Sequence, residues 1–170
     1  MPQDPMAMAR AMQAIMAQAA AWVTAYKSEL AARGLGFSAD DLAAIAASAT
    51  AHPLPAGHAT AQPTASEMED MQRVQELALD TVYPETGFAP DDPRLVPVGM
   101  PLVSYAVAAR AIGWSEDAAL TERVLTALGH TRADYDAAIA HWTPMLKSDM
   151  AVATLYGQLF SNAGDLPVKP

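Results

Sequence analysis

Few side chains in this sequence are equipped to exchange a proton, attack a substrate or hold a metal. There are four histidines and no cysteine among 170 residues. The missing thiols exclude disulfides, thiolate metal sites and cysteine nucleophiles together. His52 and His58 fall in the run TAHPLPAGHATAQP, Thr50 to Pro63, with no carboxylate beside them to complete a zinc set, so they read as solvated loop histidines. His130 has Asp134 four positions on, but Asp134 already closes the capping box Thr131-x-x-Asp134. His141 sits at the edge of a face carrying Trp142. It reads as a structural histidine, the alternative being a polar group that shares an inter-helix pocket with Tyr105 and Tyr156.

Three further groups invite a metal reading. Met6, Met8, Met12 and Met16 present soft thioethers of the kind that suit copper(I), yet no histidine or cysteine accompanies them, and methionine is equally a filler of helical cores. Glu67, Glu69, Asp70 and Glu76 gather carboxylates, but no Glu-x-x-His pair exists to build a bundle metal site, so they read as a solvated face. Asp91-Asp92 lacks the staggered ligands and closing glutamate of an EF-hand and reads as turn chemistry. There is no phosphate-binding glycine loop, no Gly-x-Ser-x-Gly and no His-Glu-x-x-His. The sequence therefore assigns no catalytic residue, no cofactor and no metal ligand, and a non-enzyme is expected.

Charge narrows the partners. The net charge is −9, and no two of the ten Lys and Arg residues are adjacent. Nucleic acid and anionic membrane both require clustered cations, so both are disfavoured. No run has the weight of a membrane span, and MPQDPMAMARAMQAIM lacks the basic start of a secretory signal, so a cytoplasmic location is expected.

The elements that must position these residues read as helices. Apolar residues make up 52% of the chain, mostly Ala, Leu, Met and Val, with few β-branched residues. Asp4-Pro5 opens a helix that reaches Gly34 and carries the stripe Met8, Met12, Ile15, Ala19, Trp22, Tyr26 and Leu30. Either its own chain covers that stripe, or Met8, Met12, Ile15, Trp22 and Tyr26 form an interface with another copy or a protein partner. Ser38-x-x-Asp41 starts a short helix to about Ser48, packing on the first as an antiparallel hairpin. Thr64-x-x-Glu67 starts another, to about Thr81, with Met68, Met71, Val74 and Ala78 on one face.

Residues 83–101 contain five prolines and read as a wrapped connection tethered by Tyr83, Phe88, Leu95 and Val98. Helices then run from Pro101 to Ile112, over 116–128, and from Thr131 to an interruption at Thr143-Pro144. Ser148-Asp149 caps a last helix to about Asn162. It is apolar on two faces, and Gly157 is expected to admit a close neighbour.

Pro101-Leu102-x-x-Tyr105-Ala106, Leu128-Gly129, Trp142-x-x-Met145-x-x-x-Asp149 and Tyr156-Gly157-x-x-Phe160 together resemble an uncharacterised family of bacterial all-helical domains. The resemblance covers little over a third of the chain, and Pro144 departs from it. It implies a small all-α unit without an assigned activity.

The expectation is a single all-α helical bundle of six or seven helices over 1–163. Within it are an N-terminal hairpin (1–49), a Pro/Ala/His-rich connector (50–65) and a C-terminal unit (66–163), followed by a loose tail (164–170). The function expected first is a protein–protein interaction module of bacterial type that binds a protein partner or itself. The alternatives are a small-molecule binding protein or enzyme using the inter-helix pocket, and an accessory, chaperone-like or immunity-type partner of a secreted protein.

Overall fold

Asp4 and Pro5 begin the first helix as their chemistry dictates. The Asp4 carboxylate accepts a hydrogen bond from the Met6 amide, and Pro5 takes the first helical position, where an N–H would have no partner. Helix α1 then runs Pro5–Ala32. The structure, a computed structural model, describes residues 3–51, 63–113 and 115–170. Within them follow α2 (Ala39–Ala51), α3 (Ala65–Asp80), a 3-10 turn (Pro93–Leu95), α4 (Leu102–Ile112), α5 (Ala118–Ala127), α6 (Arg132–Ser148) and α7 (Met150–Asn162). The fold is all-α, and the described residues form no strand beyond isolated bridges. His52 and His58, with most of the 50–65 connector, lie outside the described residues.

The three capping boxes form as spelled. Ser38 and Asp41 exchange bonds of 3.1 and 2.9 Å, Thr64 and Glu67 of 3.3 and 2.6 Å, and Thr131 and Asp134 of 3.2 and 2.8 Å. Each satisfies two amides that the helix itself leaves open, worth about 1 kcal/mol.

Helix α7 is the centre, with α1, α4, α6 and α3 packed around it. Its Ala151, Val152, Leu155 and Leu159 are fully buried. Helix α4 is the second buried element, contributing Ala106, Val107 and Ala108. From α1 come Ala7, Ala11, Ile15, Ala19, Val23, Tyr26 and Leu30. Ile15, Ala19, Tyr26 and Leu30 of the expected stripe lie in this seam, while Ala7, Ala11 and Val23 take the places of Met8, Met12 and Trp22. Small residues line the closest approach, and Met8, Met12 and Trp22 flank it half-buried. Among the described residues Trp142 is the largest fully buried side chain, and its Nε1 donates to the Met100 carbonyl at 3.0 Å. That bond fixes the 98–101 turn on α6. Gly99 stands at the contact with φ +74°, where a Cβ would collide with the Asp134 carbonyl.

Residues 81–95 form a strap along α1. The Gln3 amide makes two bonds to the backbone of Tyr83 (2.7 and 2.9 Å), and the Gln18 amide repeats this at Phe88 (2.6 and 2.8 Å). Between them Arg10 pairs with Glu85 at 3.1 Å. Arg94 closes the strap. It binds Asp92 at 3.1 Å and Asp149 at 3.4 Å and lies over the Phe88 ring. Asp149 at the same time caps α7 through the Ala151 and Val152 amides. Tyr83 and Phe88 tether the connection as expected, and Leu95 packs on the core edge, whereas Val98 is exposed.

Four other expectations are corrected. The first two helices do not build a hairpin, because α1 packs on α7 and α4 while α2 packs on α5 and α4. Helix α6 continues through Pro144; the carbonyl that loses its partner belongs to Ala140, an exposed residue that water can serve. Gly157 is exposed, and a methyl group added to its Cα would meet nothing within 4 Å, so it admits no close neighbour. The tail is tied rather than loose. Phe37 N donates to the Pro167 carbonyl (2.8 Å), Lys169 N donates to the Phe37 carbonyl (2.9 Å), and Leu166 packs on the core.

Candidate functional site

The residues proposed for a pocket do not assemble into one. Tyr105 on α4 and Tyr156 on α7 do meet, with ring centroids 5.7 Å apart, and Tyr135 of α6 and Phe160 extend the cluster at 6.1 Å. These rings fill each other's space. Burial first, then the neighbouring Tyr105 and Tyr135 hydroxyls, pushes the Tyr156 pKa up to about 12, and burial also raises that of Tyr135. His141 takes no part in the cluster and lies edge-on to Trp142 at 4.6 Å. Its Nε2 is buried without a partner.

The residues proposed for an interface on α1 divide. Ile15 and Tyr26 are inside the protein's own core, while Met8, Met12 and Trp22 are partly covered by it. The Tyr26 hydroxyl lies beside Ser104 of α4 but completes no hydrogen bond of good geometry, and burial pushes its pKa up to about 12. His130 and Asp134 approach to 3.9 Å. Burial lowers the His130 pKa more than Asp134 raises it, and the bonds from Thr131 hold the Asp134 carboxyl low. This pair serves a helix start.

A cleft of about 410 Å³ opens between α2 and α5. Ala44, Ala47, Ala51, Ala119 and Leu120 supply its apolar wall. Its polar groups already serve the fold. Asp117 caps α5 through the Ala119 amide, Ser115 accepts from the Asp117 amide, Arg123 reaches Asp41 at 3.4 Å, and Ser48 is likewise engaged. Among the described residues no three His, Cys, Asp or Glu side chains gather as metal ligands, and no helix is long and apolar enough to cross a membrane.

Helix α3 is the exception in this molecule. Among the described residues, every other α-helix contributes apolar side chains to the core or its edge; α3 contributes none to it, although it lies against α7. Its apolar residues nevertheless share one side, with Met68, Met71 and Leu79 around Gln75 and Val74 at the edge. Those four are 51, 62, 56 and 49% exposed. Half-buried Leu77 and Ala78 turn toward the body of the protein, and Thr81 below them accepts from the Met150 amide at the start of α7. The helix is anchored at its C-terminal end and leaves its apolar face open. Of the face expected from the sequence, Met68, Met71 and Val74 stand open and Ala78 is half-buried, while Leu79 was not part of that expectation.

No protein-family model, curated protein or solved structure matches the chain. The surface itself therefore carries the functional reading.

Proposed function

We propose that this protein is a protein–protein interaction module and that α3 is the face it offers. One observation carries the reading: an amphipathic helix with Met68, Met71, Val74 and Leu79 in solvent, on a body to whose core or core edge each of its other described α-helices contributes apolar side chains. Moving one such side chain from water to a packed interface is worth about 1.5–3 kcal/mol. Four in a row are enough to matter after the loss of translational and rotational freedom on association. Methionines suit such a face, because an unbranched thioether adapts to the shape that meets it.

The test is a photo-crosslinking residue placed at 71 or 79, with position 16 as control. Met16 is similarly exposed but lies on α1. Illumination in the native cell is expected to give discrete adducts from 71 and 79 and none from 16. An adduct of twice the protein's mass identifies self-association through α3. Equal adducts from all three positions, or none from 71 and 79, would remove the basis of the reading.

A further inference from the structure

The charge around the open face of α3 selects among occupants. Between Ala65 and Asp80 the helix carries five carboxylates and one guanidinium. Helical spacing sets Glu69, Glu76 and Asp80 in one row, running along α3 on the flank beyond Met68 and Leu79. All three are exposed, and no ion pair of the described residues engages them. The one cation, Arg73, is 3.9 Å from Asp70. Arg73 stands on the same flank, four residues after Glu69 and three before Glu76, so the row carries an excess of negative charge rather than being free of cations. An apolar strip with such an acidic row beside it is complementary to a helix with the opposite arrangement.

We infer that α3 receives a basic amphipathic helix of a partner protein, whose Leu- or Met-type stripe covers Met68, Met71 and Leu79 while a row of Lys or Arg lies against Glu69, Glu76 and Asp80. This inference rests on the interaction reading above and names the partner's chemistry. A second copy of the chain fits less well. Pairing α3 with itself brings acidic rows together between bodies that each carry a net charge of −9. An anionic lipid surface meets the same repulsion.

The test uses the whole protein as bait for a displayed library of helical peptides. Each peptide carries a fixed apolar stripe, and its flanking rows are randomised among Lys, Glu, Gln and Ala. The expected winners carry a row of Lys on one flank. Their binding is expected to weaken about tenfold or more when Glu69→Lys, Glu76→Lys and Asp80→Lys are combined, and to weaken again as salt is raised. It is also expected to be lost on Met68→Ser with Met71→Ser, in protein whose circular dichroism is unchanged. Winners with neutral or acidic flanks that still require Met71 would overturn the charge assignment and leave the interaction reading standing. Winners indifferent to the α3 substitutions, or no winners at all, would overturn the inference. Self-association abolished by Met71→Ser would replace the basic helix with a second copy.

Discussion

Helices α3 and α7 are built by the same rules and end in opposite environments. Each opens on a side-chain cap, Thr64 in one and Asp149 in the other, and each carries large apolar residues at helical spacing. Helix α7 buries Ala151, Val152, Leu155 and Leu159 under several neighbours, while α3 buries nothing. The difference lies in what precedes each. A single residue, Asp149, joins α6 to α7, so α7 must fold back onto the helix just completed. Helix α3 is separated from α2 by thirteen residues of sequence, 52–64, and from α4 by the strap, so connectivity does not press it into the core. Amphipathic periodicity says which face of a helix wants cover. It does not say whether the same chain supplies it.

The largest effect that tests this contrast is expected at Trp142. Trp142→Ala removes the largest fully buried side chain and orphans the Met100 carbonyl, at a cost of about 3–5 kcal/mol in urea unfolding. A loss below about 1 kcal/mol would mean that the α6–α7 side of the core is not packed as described.

Alkaline titration probes the other side of the core, where α1 meets α4. Burial raises the folded pKa of Tyr26 to about 12, above its ordinary value of 10.0. Its contribution is therefore intact below pH 10 and is lost as pH rises toward 12, because the unfolded chain gives up the proton first. About 2–3 kcal/mol is at stake. Tyr26→Phe is expected to flatten the fall of melting temperature over that window. Tyr156→Phe acts in the same direction but less, since Tyr156 is less deeply covered. An unchanged alkaline limb in Tyr26→Phe would mean that the hydroxyl is solvated in the folded state.

The strap along α1 falls between the two extremes. Gln18→Ala removes both hydrogen bonds to Phe88 and is expected to lose about 1–2 kcal/mol. Limited proteolysis should then open the chain near residues 83–90 before the rest. Digestion unchanged from the parent would show that Tyr83 and Phe88 hold the strap by burial alone.

That strap also marks where sequence reading stops. The all-α class and the three capping boxes were legible because Ala, Met and the Ser/Thr-x-x-Asp/Glu patterns act locally. Gln18 on α1 and Gln3 ahead of it gave no signal, since a polar residue outside a recognised motif looks solvated and their partners lie 70 and 80 residues away. On α1 the large residues drew the stripe toward Met8, Met12 and Trp22. The real seam keeps Ile15, Ala19, Tyr26 and Leu30 of that stripe but runs through Ala7, Ala11 and Val23 in place of the other three, and the two alanines carry little weight in a hydrophobic pattern. Of the pocket proposed from sequence, Tyr105 and Tyr156 do share a cluster, but His141 is turned to Trp142. Most of the open face of α3, Met68, Met71 and Val74, was readable as an apolar face, though Leu79 was not part of that reading. The exposure of that face was not readable, because cover is a property of the whole fold.

The smallest expected effect is the one that decides the contrast. If α3 is bare in the isolated protein, Met68→Ser and Met71→Ser remove contacts that do not exist there. Each should change unfolding stability by no more than about 0.5 kcal/mol. Leu155→Ala on α7, a change of comparable size at a fully buried site, should cost about 2–5 kcal/mol under the same conditions. Hydrogen exchange supplies the matching local measure, with α3 amides expected to exchange well ahead of those of α7. A loss near ~2 kcal/mol at Met71 would show that the protein covers α3 itself in solution, and the interaction reading would fall with it. A neutral Met71→Ser, combined with loss of crosslinking from position 79 in the same variant, leaves the side chain useful only to a partner.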